Sequence, residues 1–323
     1  MTPKFTRLYK KRAKIAKALR SQNIFSFLYV ATAIFKNRLI QRFRDLKYSY
    51  KDSSLPKLTP VKAVKRQPVT IIMPFRDGVE LTKTCLTSVF EKTTYKDYRF
   101  ILINNLSIKP ETLAYIEVLK KDSRITIIDY PKPYNYSDMH NIAMDLVQTE
   151  NVLLLNNDTE VISPDWLESM VAWIEQDKVG AVGALLLFPN GTVQHGGVGI
   201  YPEVTSHLYE GELPDGPKKA EINQTRELYA VTAACLMTKK SLYQEVGGMD
   251  SENLPINLND IDYCLRLGRA GYRVIFDAQA KLFHHEAITR GSAWMNISKY
   301  RLYRKEYKFF WNKWRRYVED KIV

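Results

Sequence analysis

The chain reads as an α/β protein built on a parallel sheet. Apolar runs of strand length recur, most are followed by a stretch of helical periodicity, and polar or Pro-bearing loops punctuate them. Strand–helix–strand repetition requires crossover connections, hence a parallel sheet with right-handed crossovers. Val69-Thr70-Ile71-Ile72-Met73 predicts the first strand, ended by Pro74. Residues 81–91 are helical in period, 99–103 form a second strand stopped by Asn104-Asn105, and 111–121 are helical again. A third strand at 125–128, a helix at 137–147 and a strand at 152–155 continue the alternation. A later helix opens at Asn259-Asp260-Ile261-Asp262 and ends at Gly271. No GxGxxG follows the first strand and no GxxxxGK[ST] occurs anywhere, which argues against a dinucleotide dehydrogenase and a P-loop NTPase.

The strand at 152–155 stops abruptly in Asn156-Asn157-Asp158-Thr159-Glu160. A buried strand does not carry carboxylates inward without partners, so Asp158 and Glu160 are expected at its C-terminal end, the edge where ligands sit in open α/β sheets. Extended backbone points residues i and i+2 the same way, and two such carboxylates suit a hard cation that also bridges to phosphates. A polar loop after a core strand is the plainer alternative.

At 323 residues the chain has room for one large α/β domain or two smaller ones. Its three cysteines are widely spaced and form no CxxC unit, which fits a reducing cytosol. The charge is uneven: of the net +13, residues 1–66 contribute +16 and residues 299–323 contribute +6, so residues 67–298 are net −9. Basic ends around an acidic body point to an anionic surface, either membrane or nucleic acid. Residues 4–20 alternate basic and apolar positions at helical spacing, and the apolar run 24–35 is too short to span a bilayer. Arg38, Arg42 and Arg44 follow, the pattern of a helix lying among headgroups; packing on the body or on a partner is the alternative. Residues 45–66 read as a linker. The resulting division is a basic helical extension with linker (1–66), a main domain (67–298) and a basic aromatic helix (299–323).

Several ordered motifs resemble the family 2 glycosyltransferases of GT-A fold over roughly residues 68–290. They are Val69–Phe75, Phe100–Ser107, Asn156–Glu160, Ser163–Leu167, Gly191–Gly197, Val231–Met237, Val246–Asp250, Asn259–Leu267 and Phe283–Glu286. The resemblance is to bacterial enzymes that extend surface polysaccharides, rhamnosyltransferase-like members included. It implies a GT-A fold, with a mostly parallel central sheet and flanking helices. It also implies inverting transfer of a sugar from a UDP or dTDP donor to a hydroxyl of a growing glycan or lipid-linked saccharide. The family's DxD-type motif falls on Asn157–Glu160, so Asp158, with Glu160 in the place of a second Asp, would bind Mg²⁺ or Mn²⁺; His284 of the His284-His285 pair would complete the site. The catalytic acidic motif falls on Asn259-Asp260, making Asp260 the general base, with Asn259 where a Glu is usual. Asp262 would cap the helix or orient the acceptor.

The resemblance also places the nucleotide among Pro74, Asp77, Asn104, Asn105 and Asn157. Asn104 stands where relatives often have Asp, and its amide oxygen can accept from a pyrimidine N3–H. His140 is expected near the diphosphate or on the helix surface. His195 in Gln194-His195-Gly196-Gly197, together with Gly247 and Gly248, is assigned to the acceptor, since glycine lets backbone approach a ligand. Trp166 and Trp173 are expected in the core. Tyr300, Tyr303, Tyr307, Phe310, Trp311 and Trp314 recur at intervals of three or four, an amphipathic basic helix whose aromatic face is expected to dock on the domain at least from Tyr300 to Phe310, membrane contact through the remainder being consistent with a lipid-linked acceptor. The expected location is the cytoplasm, peripheral on the inner membrane face. Nucleic acid is set aside because the central body is acidic; a non-catalytic scaffold is the other alternative, and it predicts loss of the acidic positions that are present here.

Overall fold

The computed structural model describes residue 58, residues 67–285 and residues 297–322. The expected anchor at 1–44 and nearly all of the 45–66 linker lie outside the described residues. By contacts the chain forms two compact units, residues 1–50 with 287–308, and residues 51–286 with 309–323. Residues 297–308, the described part of the first unit, are helical. No helix among the described residues is long and apolar enough to cross a membrane.

The second unit opens with the alternation its sequence predicts: β1 (Val69–Phe75), α1 (Val79–Lys92), β2 (Tyr98–Asn104), α2 (Pro110–Leu119), β3 (Ile125–Asp129), α3 (Tyr136–Leu146) and β4 (Asn151–Leu155). Then come β5 (Thr159–Val161), α4 (Trp166–Ile174), β6 (Val179–Leu187), β7 (Val193–His195), the hairpin of β8 (Val198–Tyr201) and β9 (Val204–His207), and α5 (Lys219–Ile222). β10 (Arg226–Leu228), β11 (Cys235–Lys239), α6 (Lys240–Glu245), α7 (Asn259–Arg269), β12 (Arg273–His284) and α8 (Ile297–Lys321) complete the order.

The sheet runs β10-β12-β6-β11-β4-β1-β2-β3, with β5 added to β12 and β7 to β6. Four of the seven pairings along that path are parallel: β12–β6, β4–β1, β1–β2 and β2–β3. Helices cover the sheet, and α4 buries Trp166, Met170 and Trp173 in the same core as Ile71, Leu153 and Val182. The Trp166 indole N–H donates to Thr93 Oγ1 at 2.9 Å, so its burial strands no polar group.

β1 does not end at Pro74 as its sequence predicts. The Phe75 carbonyl accepts from Asn105 N on the β2 side, so Pro74, one residue earlier, turns its ring nitrogen to the β4 side. The β1–β4 ladder stops at Ile72, so no N–H is needed there and proline is tolerated.

Two features deliver the site. β4 ends at Leu155, where the Asn156 amide donates to the Ala234 carbonyl ahead of β11. The chain then turns and returns as β5, antiparallel to the end of β12 with Thr159 opposite His284. β12 reaches that far because it is twelve residues long and shifts register between Asp277 and Lys281.

Candidate active site

The turn between β4 and β5 holds Asp158 buried, with Oδ1 3.1 Å from His284 Nε2. His284 Nδ1 lies 2.6 Å from Gln194 Oε1, and an amide oxygen only accepts, so Nδ1 carries the proton. In a neutral imidazole Nε2 then turns its lone pair toward the carboxylate, with Asn156 Nδ2 also 3.3 Å away. With Nε2 unprotonated, the pair would offer a cation one nitrogen and one oxygen donor 3.1 Å apart. Carboxylate oxygen with imidazole nitrogen is a donor set that Mn²⁺ accepts, and Mg²⁺ through the oxygen. Among the described residues no group of three or more His, Cys, Asp or Glu is placed to hold a metal, so the remaining ligands would be phosphate oxygens or water.

Glu160 does not join this pair. Its Oε1 accepts from Lys92 Nζ at 3.0 Å and its Oε2 lies 3.3 Å from His285 Nε2. Burial opposes its ionisation, but hydrogen bonds from Lys92 and His285 outweigh this and hold its pKa below the usual carboxylate value. The expectation that extended backbone aims Asp158 and Glu160 together fails because Asp158 lies in the turn, outside β5. The His pair divides instead, His284 to Asp158 and His285 to Glu160.

The expected base approaches from another side. Asp260 stands in the first turn of α7, half-buried; its Oδ2 accepts from Ala233 N at 3.1 Å and its Oδ1 from Ile261 N at 2.9 Å. Ala234, the next residue, takes the Asn156 amide, and the Asn156 side chain meets His284. Asp260, Ala233-Ala234, Asn156, His284 and Asp158 thus form one connected strip where β4, β11, β12 and α7 converge.

Three expected ligand contacts are corrected by burial. Asp262 is wholly buried and receives Arg266 Nε at 2.8 Å, Lys313 Nζ at 2.6 Å and Trp314 Nε1 at 2.8 Å, so it neither caps the helix nor meets an acceptor. His195 is also wholly buried; its Nε2 accepts from Thr232 N at 3.3 Å and its Nδ1 lies 2.7 Å from His207 Nδ1. Burial, with His207 and His284 nearby, drives its pKa well below normal, and it serves as a neutral bracket under the strip. His140 is not near-surface either: burial lowers its pKa to about 4 while its Nδ1 bonds the Tyr136 carbonyl at 2.7 Å, so it offers a diphosphate no positive charge. Gly247 and Gly248 end α6 in left-handed turns, and the Gly248 carbonyl accepts from Arg266 Nη2 at 2.6 Å.

The loops after β1 and β2 are tied together. Asp77 Oδ1 accepts from Ile108 N and Lys109 N, each at 3.0 Å, at the start of α2. Asn104 Nδ2 donates to Asp129 Oδ1 at 2.8 Å while its Oδ1 accepts from Ser107 N at 3.2 Å, leaving the oxygen one further lone pair. Asn105 is buried and donates to the carbonyls of Tyr130 and Lys132, a loop-fixing role. Asn157 Nδ2 donates to Thr82 Oγ1 at 3.0 Å, fastening the Asp158 turn to α1. Pro74 lies buried in β1, one residue before its end.

Asn156 and Gln194, which touch His284, are residues of the strip that sequence reasoning did not assign. Gln194 carried a signal, since in a strand it points away from its neighbour His195, and the two serve different partners.

A family model described as "Glycosyl transferase family 2" matches residues 70–247, more than half of the chain. A curated relative named "Uncharacterized protein y4gI", from Sinorhizobium fredii, is 37% identical over 228 residues, 69% of this chain and 25% of its own length. An "O-antigen biosynthesis protein RfbC" from Myxococcus xanthus is 35% identical over 253 residues, covering 75% of this chain and 20% of that protein. An "N-acetylglucosaminyl-diphospho-decaprenol L-rhamnosyltransferase" from Mycobacterium tuberculosis is 27% identical over 130 residues, 35% of this chain and 40% of the relative. The chain therefore spans only about a fifth to a quarter of the first two relatives. Among solved structures, the mannosyltransferase PcManGT from Pyrobaculum calidifontis, in complex with GDP-Man and Mn²⁺, aligns with TM-score 0.57 at 14% identity, covering 88% of this chain and 74% of its own. GalNAc-T7 with UDP, GalNAc and Mn²⁺ aligns with TM-score 0.58 at 13% identity, covering 80% and 55%. These likenesses establish the fold as GT-A-like.

Proposed function

Because the chain belongs to glycosyl transferase family 2, we propose that it transfers a sugar with inversion from a UDP- or dTDP-linked donor to a hydroxyl of a growing surface glycan or lipid-linked saccharide. The observation that carries this reading is the strip joining the Asp158–His284 pair to Asp260 through Ala233-Ala234 and Asn156. It supplies a phosphate end and a base end from different elements, the division of labour a direct displacement needs.

Asp158 and His284 would hold Mg²⁺ or Mn²⁺, which when bound supplies charge neutralisation for the departing diphosphate. Gln194 fixes the His284 tautomer, and Asn157 fixes the turn through Thr82. Asp260 accepts the acceptor's hydroxyl proton while that oxygen forms its bond to the anomeric carbon and the bond from that carbon to the diphosphate oxygen breaks. The Ala233 and Ile261 amides steady the Asp260 carboxylate without filling its lone pairs. Asn104 offers an acceptor to a pyrimidine N3–H, with Asp77 on the neighbouring loop and Pro74 near the end of the strand before it.

The surface-glycan acceptor is supported by the O-antigen biosynthesis and rhamnosyltransferase names of the relatives, and divalent metal by the Mn²⁺ named with both structural neighbours. Placement on the inner membrane face by the basic ends belongs to the same reading. A screen of nucleotide sugars, read as released nucleoside diphosphate, tests it. Release from a UDP- or dTDP-sugar that Mn²⁺ or Mg²⁺ stimulates and Asp158→Ala abolishes is expected. Release that ignores EDTA, or none from any nucleotide sugar, would sink the reading.

A further inference from the structure

α7 carries two carboxylates that serve different neighbours. Asp260 takes the Ala233 amide. Asp262, two residues on and so about 200° around the helix, is held by Lys313 and Trp314 of α8 and by Arg266 of its own helix. Trp314 is wholly buried, with the Arg269 guanidinium 5.5 Å and the Lys313 ammonium 5.4 Å from its ring centre. Arg266 also donates to the carbonyls of Val246 and Gly248. One buried carboxylate therefore joins α8, α7 and the turn after α6.

The start of α7 needs such a hold. Its N-cap is Leu258, in the left-handed region at φ 62, with no side-chain cap bond, a conformation that costs a leucine energy. The first turn of any helix lacks intrahelical partners for its N–H groups. The Asp262 amide makes the α7 bond back to the Leu258 carbonyl, at 2.9 Å. The residue whose amide closes the turn that carries Asp260 is thus the residue gripped from the side by α8. A buried carboxylate stays put only while its donors remain.

We propose that α8 belongs to the reaction machinery: Lys313 and Trp314 act through Asp262 as positioning residues that fix Asp260 against Ala233, and so set the rate of transfer from outside the substrate site. This rests on Asp260 being the base of the proposed transferase.

Trp314→Phe keeps an aromatic ring and removes the N–H; Lys313→Met keeps the stem and removes the charge, while Lys313→Arg restores it. In the full chain, Trp314→Phe and Lys313→Met are each expected to lower kcat on the order of tenfold, a sub-ångström misplacement of a reacting group, with donor KM unchanged and Lys313→Arg rescuing. Their effects should not add to that of Asp262→Asn. Native-state amide exchange supplies a readout independent of turnover: Ala233 should exchange faster in both variants, while Leu236 in β11 stays at its wild-type rate. If the wild type turns over no nucleotide sugar, the transferase reading fails and Ala233 exchange alone decides the clamp. Unchanged Ala233 exchange, equal acceleration at Ala233 and Leu236, or an unchanged kcat in active enzyme each overturns the proposal.

Discussion

Asp158 and His284 are 3.1 Å apart and both buried, and in the proposed reaction they would form its phosphate end. Removing either carboxylate or imidazole should abolish Mn²⁺-stimulated UDP or dTDP binding in calorimetry while leaving the fold intact; binding by Asp158→Ala or His284→Ala that Mn²⁺ still stimulates would remove the pair from that role. His140 makes a stability prediction. Its pKa is about 4 in the fold against 6.5 unperturbed, so from pH 6.5 downward the unfolded chain takes a proton that the native state refuses. Stability therefore falls with acidification, by up to roughly 3 kcal/mol for this group near pH 4, and the depressed pKa of His195 acts in the same direction. Denaturation of His140→Gln across pH 7 to 5 should show a shallower decline than wild type; an identical slope would contradict this. At this scale Asp158 was legible because an apolar run ended in it. His195, His140 and Asp262 were not, because a polar residue's burial depends on partners remote in sequence, such as Trp314 for Asp262.

Elements were more legible than single residues. β1, β2 and β4 announced themselves as apolar runs, and α7 by its apolar spacing and Gly271, because these signals are local. β12 and β5 were harder to foresee, since their pairing joins residues 159–161 to 282–284 and only the tertiary fold brings those together. The continuation of β1 through Pro74 was equally hidden, as it depends on where the β4 ladder stops. On α7, Asp260→Asn should retain donor binding and lose transfer by about 10²-fold or more, as for removal of a general base; transfer near wild-type rates would exclude Asp260. The turn after α6 has its own requirement. Gly248 has φ +65, and a Cβ there would come within 2.7 Å of Asn141 Oδ1. Gly248→Ala should destabilise by about 1–3 kcal/mol, seen as a lower denaturation midpoint; an unchanged midpoint would show the turn to be more permissive.

For the whole molecule, the contrast between basic ends and an acidic body remains the strongest global feature of the sequence. If residues 1–44 grip anionic lipid, flotation should require anionic vesicles, weaken in high salt and vanish on their deletion, while turnover on a soluble acceptor analogue persists; equal flotation on neutral vesicles would point to an inserted helix instead. The stretch of α8 in the second unit buries Phe310, Trp311, Trp314 and Val318, so the side chains beyond Phe310 that the sequence reading left to membrane contact pack within the protein. The central claim is a direct displacement organised by a phosphate end at Asp158–His284 and a base at Asp260. Its most direct test is the anomeric configuration of the first product, read by NMR during turnover of an accepted nucleotide sugar. Configuration opposite to the donor's is expected, and retained configuration would contradict it.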